Sequence, residues 1–351
     1  MLGTPASVMT SSFLPIDAPL SSYESQAREH KTLAYPLTID EARLAVARGY
    51  SFADWSALVQ TVQDVQQRGS AVREFELAAE AVIDGDADTL TRMLRDNPQL
   101  VHARSERITC HEPAAHRATL LHYIAANGIE NYRQRSPKNA VDIARLLLDA
   151  GAEVDALAGL YGGECACLSL LVSSSPPADA GVQVPLVHVL ADYGANVNGA
   201  GASAWRSPLN TALVFGFQDA ARALVQRGAR VDSMALAAGL GDIDACRARF
   251  SAATADDRHR ALALAVENDQ LDVVRLLLEH GERADRFNPD GMHAHQTPLH
   301  SAALRGNLAL VQLLLEYGAS LTIEDPLWHA TPIDWAAHGG QLQVVEFLRT
   351  R

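Results

Sequence analysis

The sequence predicts an all-α solenoid, a stack of helix-turn-helix units, and three observations carry that prediction. Within residues 296–319, Thr297 caps a helix whose first turn opens with Pro298, where a missing N–H does no harm, and Gly306 ends it. Leu308, Val311, Leu314 and Leu315 then recur at helical spacing, giving a second helix with one apolar face that stops at Gly318. Closings of the same type return at Gly151-Ala152-Glu153-Val154-Asp155, Gly194-Ala195-Asn196-Val197-Asn198 and Gly228-Ala229-Arg230-Val231-Asp232. One such helix pair cannot bury its own apolar stripe, so the copies must lean on one another.

In chain order, residues 1–30 read as a disordered tail, rich in Ser, Pro and Thr near the start with little apolar periodicity. Residues 31–68 read as a small helical segment: Thr38 and Glu41 have capping-box spacing, Gly49 stops the first helix, and Phe52, Trp55, Leu58 and Val62 line the next. Residues 70–351 read as an array of about eight units, several of them degenerate. The first has helices marked by Ala79 to Gly85 and Leu90 to Leu94. The second opens at Thr119-Leu120-Leu121-His122 and carries an insertion, Glu130 to Asn139, read as a surface loop. The third is weak, with Leu168 to Leu171 and Val184 to Leu190 as its apolar faces, and the fourth opens at Ser207-Pro208-Leu209-Asn210. The fifth and sixth follow with short connections near residues 232 and 255, the seventh starts at Thr297, and the eighth runs from Thr331-Pro332-Ile333-Asp334 to Leu348.

Thr297-Pro298-Leu299-His300, the pair Ala302-Ala303, Gly306 and Gly318-Ala319 fall in the order of an ankyrin repeat, which this stretch closely resembles. The stretch from Thr38 to Val59 is similar to the helical segment before the repeats in many bacterial ankyrin-type proteins, which implies a bacterial source. The resemblance implies helix pairs stacked into a curved solenoid with projecting β-hairpin or loop fingers. It also implies a concave face, made by the first helices and the fingers, that recognises a protein or peptide. His300, and His122 with it, is implied to be structural, tying neighbouring loops by hydrogen bonds.

Specificity is then expected where the consensus leaves positions open. On the first helices these are Tyr123, Asn127, Thr211, Phe215, Ser301, Arg305, Trp335 and His338. On the fingers they are His111, His116, Trp205, Asn288, Asp290, His293, His295, Trp328 and His329. From these, Tyr123, Asn127, Trp205, Phe215, Asp290, His293, His295, Arg305, Trp328, His329, Trp335 and His338 form the expected protein-binding set. Aromatic and arginine side chains bring large area with a polar handle and dominate binding hot spots. For Trp335 and Trp328, packing within the last repeat stays open as an alternative.

Composition narrows the partner. The net charge of −13, from 29 basic and 42 acidic residues, disfavours nucleic acid and an anionic membrane and suits a basic protein or peptide. Cys110, Cys165, Cys167 and Cys246 make no disulfide framework for a chain this long, and with no apolar run resembling a leader or a membrane span the expected location is cytoplasmic. No nucleophile elbow, phosphate-cradling loop, zinc-protease motif or dinucleotide fingerprint is present, and no cofactor or metal is expected. The reading leans to a non-enzymatic scaffold. The alternative is an enzyme, or a small-ligand or metal binder, using the His-rich fingers near residues 293–338.

Overall fold

A computed structural model describes residues 13–33, 37–126, 129–160, 163–202 and 207–351. It divides into two compact units, Met1–Ser207 and Pro208–Arg351. The fold class is all-helical, made of ankyrin-like helix pairs with one small two-stranded hairpin.

The N-terminal unit begins with α1 (Leu20–Leu33), α2 (Ile39–Gly49) and α3 (Trp55–Gln66). The expected disordered tail is corrected over Leu20–Leu33. Tyr23 and Ala27, one turn apart, are buried against Val46, Ala47, Tyr50 and Leu58, and the Tyr50 hydroxyl donates to Gln26 at 3.0 Å. Residues 1–12 lie outside the described residues. Thr38 and Glu41 do form a capping box at the start of α2, and Asp54 caps α3 by accepting from the Ala57 N–H.

Next come α4 (Ala71–Asp84), stopped by Gly85 at φ +73°, and α5 (Ala87–Asp96). The second pair differs from expectation. Its first element is a 3₁₀ helix, Leu120–Ala125, because Ala126 turns left-handed at φ +56° and ends it early, and α6 (Ala140–Asp149) follows the insertion. Strands β1 (Leu157–Leu160) and β2 (Gly163–Ala166) then pair antiparallel, with Leu157 opposite Ala166 and Leu160 opposite Gly163. The unit ends with α7 (Cys167–Leu171), the single turn α8 (Ser175–Asp179) and α9 (Gln183–Asp192).

The C-terminal unit holds five helix pairs: α10 (Pro208–Val214) with α11 (Gln218–Gln226), α12 (Met234–Leu240) with α13 (Ile243–Arg249), α14 (Ala255–Glu267) with α15 (Leu271–Glu279), α16 (Pro298–Arg305) with α17 (Leu308–Glu316), and α18 (Pro332–His338) with α19 (Leu342–Arg349). First helices pack on first helices, as α12 on α14, α14 on α16 and α16 on α18, and second helices stack in parallel with them. One apolar core runs through this stack from Met234 to Leu348. Among the described residues no helix is long and apolar enough to cross a membrane.

Candidate functional site

In the C-terminal unit, the loop between α15 and α16 is tied to itself and to the end of α10. Asn288 N–H donates to the Gln296 carbonyl at 2.8 Å, which closes the loop. His293, at φ +56°, donates from Nε2 to the Val214 carbonyl at 3.0 Å. Its ring meets Phe215 edge-on at 5.6 Å and His295 at 6.1 Å. His295 in turn lies 5.3 Å from the Trp328 ring and 5.8 Å from Trp335, so aromatic rings run without a break from α10 to α18. Burial lowers the pKa of His293, His295 and His300 and keeps all three rings neutral at pH 7.

Asp325 organises the last loop. Fully buried, it accepts from the Leu327 N–H at 2.8 Å, the Trp328 N–H at 2.7 Å, the Ala330 N–H at 3.2 Å and the Trp335 indole N–H at 2.9 Å. Burial alone would raise its pKa, and these donors together outweigh burial and lower it. These bonds hold the Trp335 indole and the Trp328 backbone, and the two rings meet edge-on with centroids 5.7 Å apart in different settings: Trp335 is 8% exposed and Trp328 is 55% exposed. Beside them opens a cavity of about 490 Å³ lined by Leu304, Trp328, Ala330, Asp334, Trp335 and His338. His329 and His338 are exposed beside it. Both packing and lining thus fall to Trp335.

Several expected contact residues are corrected by their burial. Tyr123 is 1% exposed, and its hydroxyl donates to Glu130 at 2.7 Å. Thr211 and Ser301 are buried in the α10 and α16 faces that pack on neighbouring helices, Asn288 is buried at the base of its loop, and His116 is fully buried. Arg305 pairs with Asp269 at 2.7 Å and lies 3.5 Å from Glu267. Phe215 is half-buried against His293, and Asp290 and His111 are exposed. Asn127 and Trp205 lie outside the described residues. His300 has the structural geometry that the resemblance implied: Nδ1 accepts from the Thr297 N–H, and Nε2 donates to the Ala330 carbonyl at 3.2 Å. His122 accepts from Thr119 in the same way. Among the described residues no group of three or more His, Cys, Asp or Glu is placed to hold a metal ion.

The N-terminal unit contains a cluster that the sequence reading missed. Arg107 grips Glu76 with two bonds of 2.8 Å, and Arg133 bonds Glu76, Glu80 and Glu130, each at 2.8 Å. His116 adds Nε2 at 3.2 Å from Glu130, donating because its Nδ1 accepts from the Ala118 N–H. Burial would raise the Glu76 and Glu130 carboxyls, and the two guanidinium charges outweigh it and hold both below the usual range. The insertion expected as a surface loop is therefore corrected at Glu130 and Arg133, which point inward because each finds an opposite charge there. The only sequence signal was acidic Glu76 at a core-facing helical position.

Residues 234–325 and 288–351 match the family model for ankyrin repeats in three copies. The chain is 33% identical over 139 residues to human ankyrin repeat and SOCS box protein 16, covering 40% of this chain and 25% of that protein. It is 30% identical over 142 residues to the Caenorhabditis elegans ankyrin repeat and KH domain-containing protein mask-1, covering 40% of this chain and 4% of that protein. Among solved structures, the human ASB11 ankyrin repeat domain aligns with a TM-score of 0.38 at 20% identity, over 77% of this chain and 96% of that one. The chain thus spans a quarter or less of these curated relatives' own length. Both relatives are animal proteins and lend nothing to the bacterial source implied by the N-terminal segment. Over residues 234–351 the chain carries ankyrin repeats, which are generally protein-interaction scaffolds.

Proposed function

We propose that the chain is a non-enzymatic scaffold whose C-terminal unit recognises a protein or peptide through the face made by its first helices and the loops before them. The observation that carries this reading is Trp328, 55% exposed, with its backbone N–H held by a buried carboxylate and its ring resting on His295 and Trp335, beside exposed His329 and His338. A large side chain fixed before binding loses little conformational freedom when a partner covers it. The net charge of −13 favours a basic partner over nucleic acid or an anionic membrane. Four cysteines without a disulfide fit a reducing, cytoplasmic setting.

The test is affinity capture with the full chain, comparing the parent with a Trp328→Ala, His329→Ala double variant and with Leu342→Ala. Leu342 is 79% exposed on the second helix α19, is not among the residues that line the cavity, and serves as the control. Partners retained by Leu342→Ala and lost by the double variant support the reading. Equal capture by all three proteins, with helicity unchanged, rejects it.

A further inference from the structure

Resting on that reading, we infer that the cavity lined by Trp328 and Trp335 takes a cationic side chain, arginine or lysine, from the partner. The two indoles touch edge to face, with ring centroids 5.7 Å apart and planes inclined by 65°, and both line this one cavity, where an indole face attracts a cation through its quadrupole. Behind Trp335 stands the buried Asp325, whose four partners described above are all neutral N–H donors. A carboxylate accepting from the indole N–H pushes electron density into the ring and strengthens the negative potential of its faces.

The lining supplies a second negative charge. Asp334 accepts from the Thr331 N–H at 2.9 Å and hydroxyl at 2.6 Å, which lowers its pKa and keeps it ionised. From Gly306 to Leu348 the chain carries Glu316, Glu324, Asp325, Asp334 and Glu346 and no lysine or arginine. Arg305, next to the lining residue Leu304, is committed to Asp269. His295, touching both indoles, is held neutral by burial. A neutral aliphatic guest would fit the walls and leave the Asp334 carboxylate without a countercharge. A guanidinium or ammonium on an aliphatic stem satisfies walls and charge together.

The test uses the full chain labelled with 5-fluorotryptophan, which reports on its four tryptophans by ¹⁹F NMR, with Trp328→Phe and Trp335→Phe for assignment. The probes are acetyl-Gly-Arg-Gly-amide, its lysine counterpart, and the same peptide with citrulline, a neutral isostere of arginine. The cationic peptides should shift the Trp328 and Trp335 signals and leave Trp55 unmoved, with the citrulline peptide binding about tenfold more weakly. Asp334→Asn should weaken the arginine peptide about threefold or more and leave the citrulline peptide unchanged. Equal binding of arginine and citrulline peptides, or indole signals that ignore the cations, overturns the inference. Partner capture that still depends on Trp328 would then leave the scaffold reading standing. An arginine peptide that binds a protein with no Trp328-dependent partner would sink the scaffold reading alone.

Discussion

Asp325 is fully buried and Glu267 largely so, and the balance between burial and hydrogen-bonding neighbours drives the two acids in opposite directions. Asp325 has four N–H donors and stays ionised. Glu267, with a side chain 16% exposed, has Arg305 at 3.5 Å, and burial still pushes its carboxyl up to about 7. Folded protein therefore holds a proton that an ordinary carboxyl at 4.5 has already released, so stability from this group is present below pH 4.5 and is lost as pH rises through about 7. Glu267→Gln, which cannot ionise, should be more stable than the parent at pH 8.5 by roughly 1–3 kcal/mol, with the gap closing near pH 4.5. Urea unfolding at the two pH values checks this, and a parent that outlasts the variant at pH 8.5 contradicts it. Asp325→Ala should cost roughly 2–4 kcal/mol, because it strands several buried donors at once, and should redshift the Trp335 emission. Nothing in the order Glu324-Asp325-Pro326 marks one acid as buried and its neighbour as exposed. The difference depends on which turn the backbone makes, and that turn is set by the donors Asp325 itself collects.

At the scale of elements, capping chemistry was the legible part. Thr297 and Thr331 before Pro298 and Pro332 start α16 and α18 where the sequence places them, and Gly306, at φ +78°, ends α16. The helix α1 was not legible, because its order comes from Tyr23 and Ala27 packing on residues 19 or more positions away and not from an apolar stripe of its own. The insertion after the 3₁₀ helix failed for a related reason: Arg133 and Glu130 are polar in sequence but cancel each other when folded. Breaking that cluster should be expensive. Arg133→Met leaves Glu76 and Glu130 short of a buried partner and should cost about 3–5 kcal/mol, whereas Arg145→Ala, which removes an exposed pair with Asp142, should cost about 0.5 kcal/mol or less. Both Glu76 and Glu130 have depressed carboxyls, so their share of stability is present above the ordinary value of 4.5 and fades as pH falls below it. Arg133→Met should therefore lose less than the parent on acidification from pH 5 to pH 3, as followed by chemical unfolding. In the helix stack, Leu314 is fully buried at the α17 seam, and Leu314→Ala should cost about 2–5 kcal/mol, against about 0.5 kcal/mol or less for exposed Leu342→Ala.

At the scale of the molecule, the repeat pattern was legible because each copy restates the same caps and apolar spacing, and the binding face was only partly so. Trp328 and His329, expected on a finger, are exposed, while Tyr123, expected on the first helices of the same face, is buried because Glu130 and Arg133 cover it. Sequence phase tells which helical positions face the loops, but not whether an insertion has filled the space in front of them. The two cores are also chemically separate: the charged cluster draws its members from Glu76 to Arg133, and the apolar core of the C-terminal unit draws every member from Val231 onward. In a stack where each pair touches its neighbours, stability is nearly a sum of local terms, so a contiguous block with its own core can stand alone. A fragment spanning residues 208–351 should therefore be helical and melt cooperatively. The near-UV signal of Trp335 should survive, because Asp325, Ala330 and His300 all lie inside the fragment. Circular dichroism of the fragment decides the matter: a molten, non-cooperative trace would mean that the C-terminal core depends on residues before Pro208 and that the cavity lined by the indoles cannot be studied apart from them.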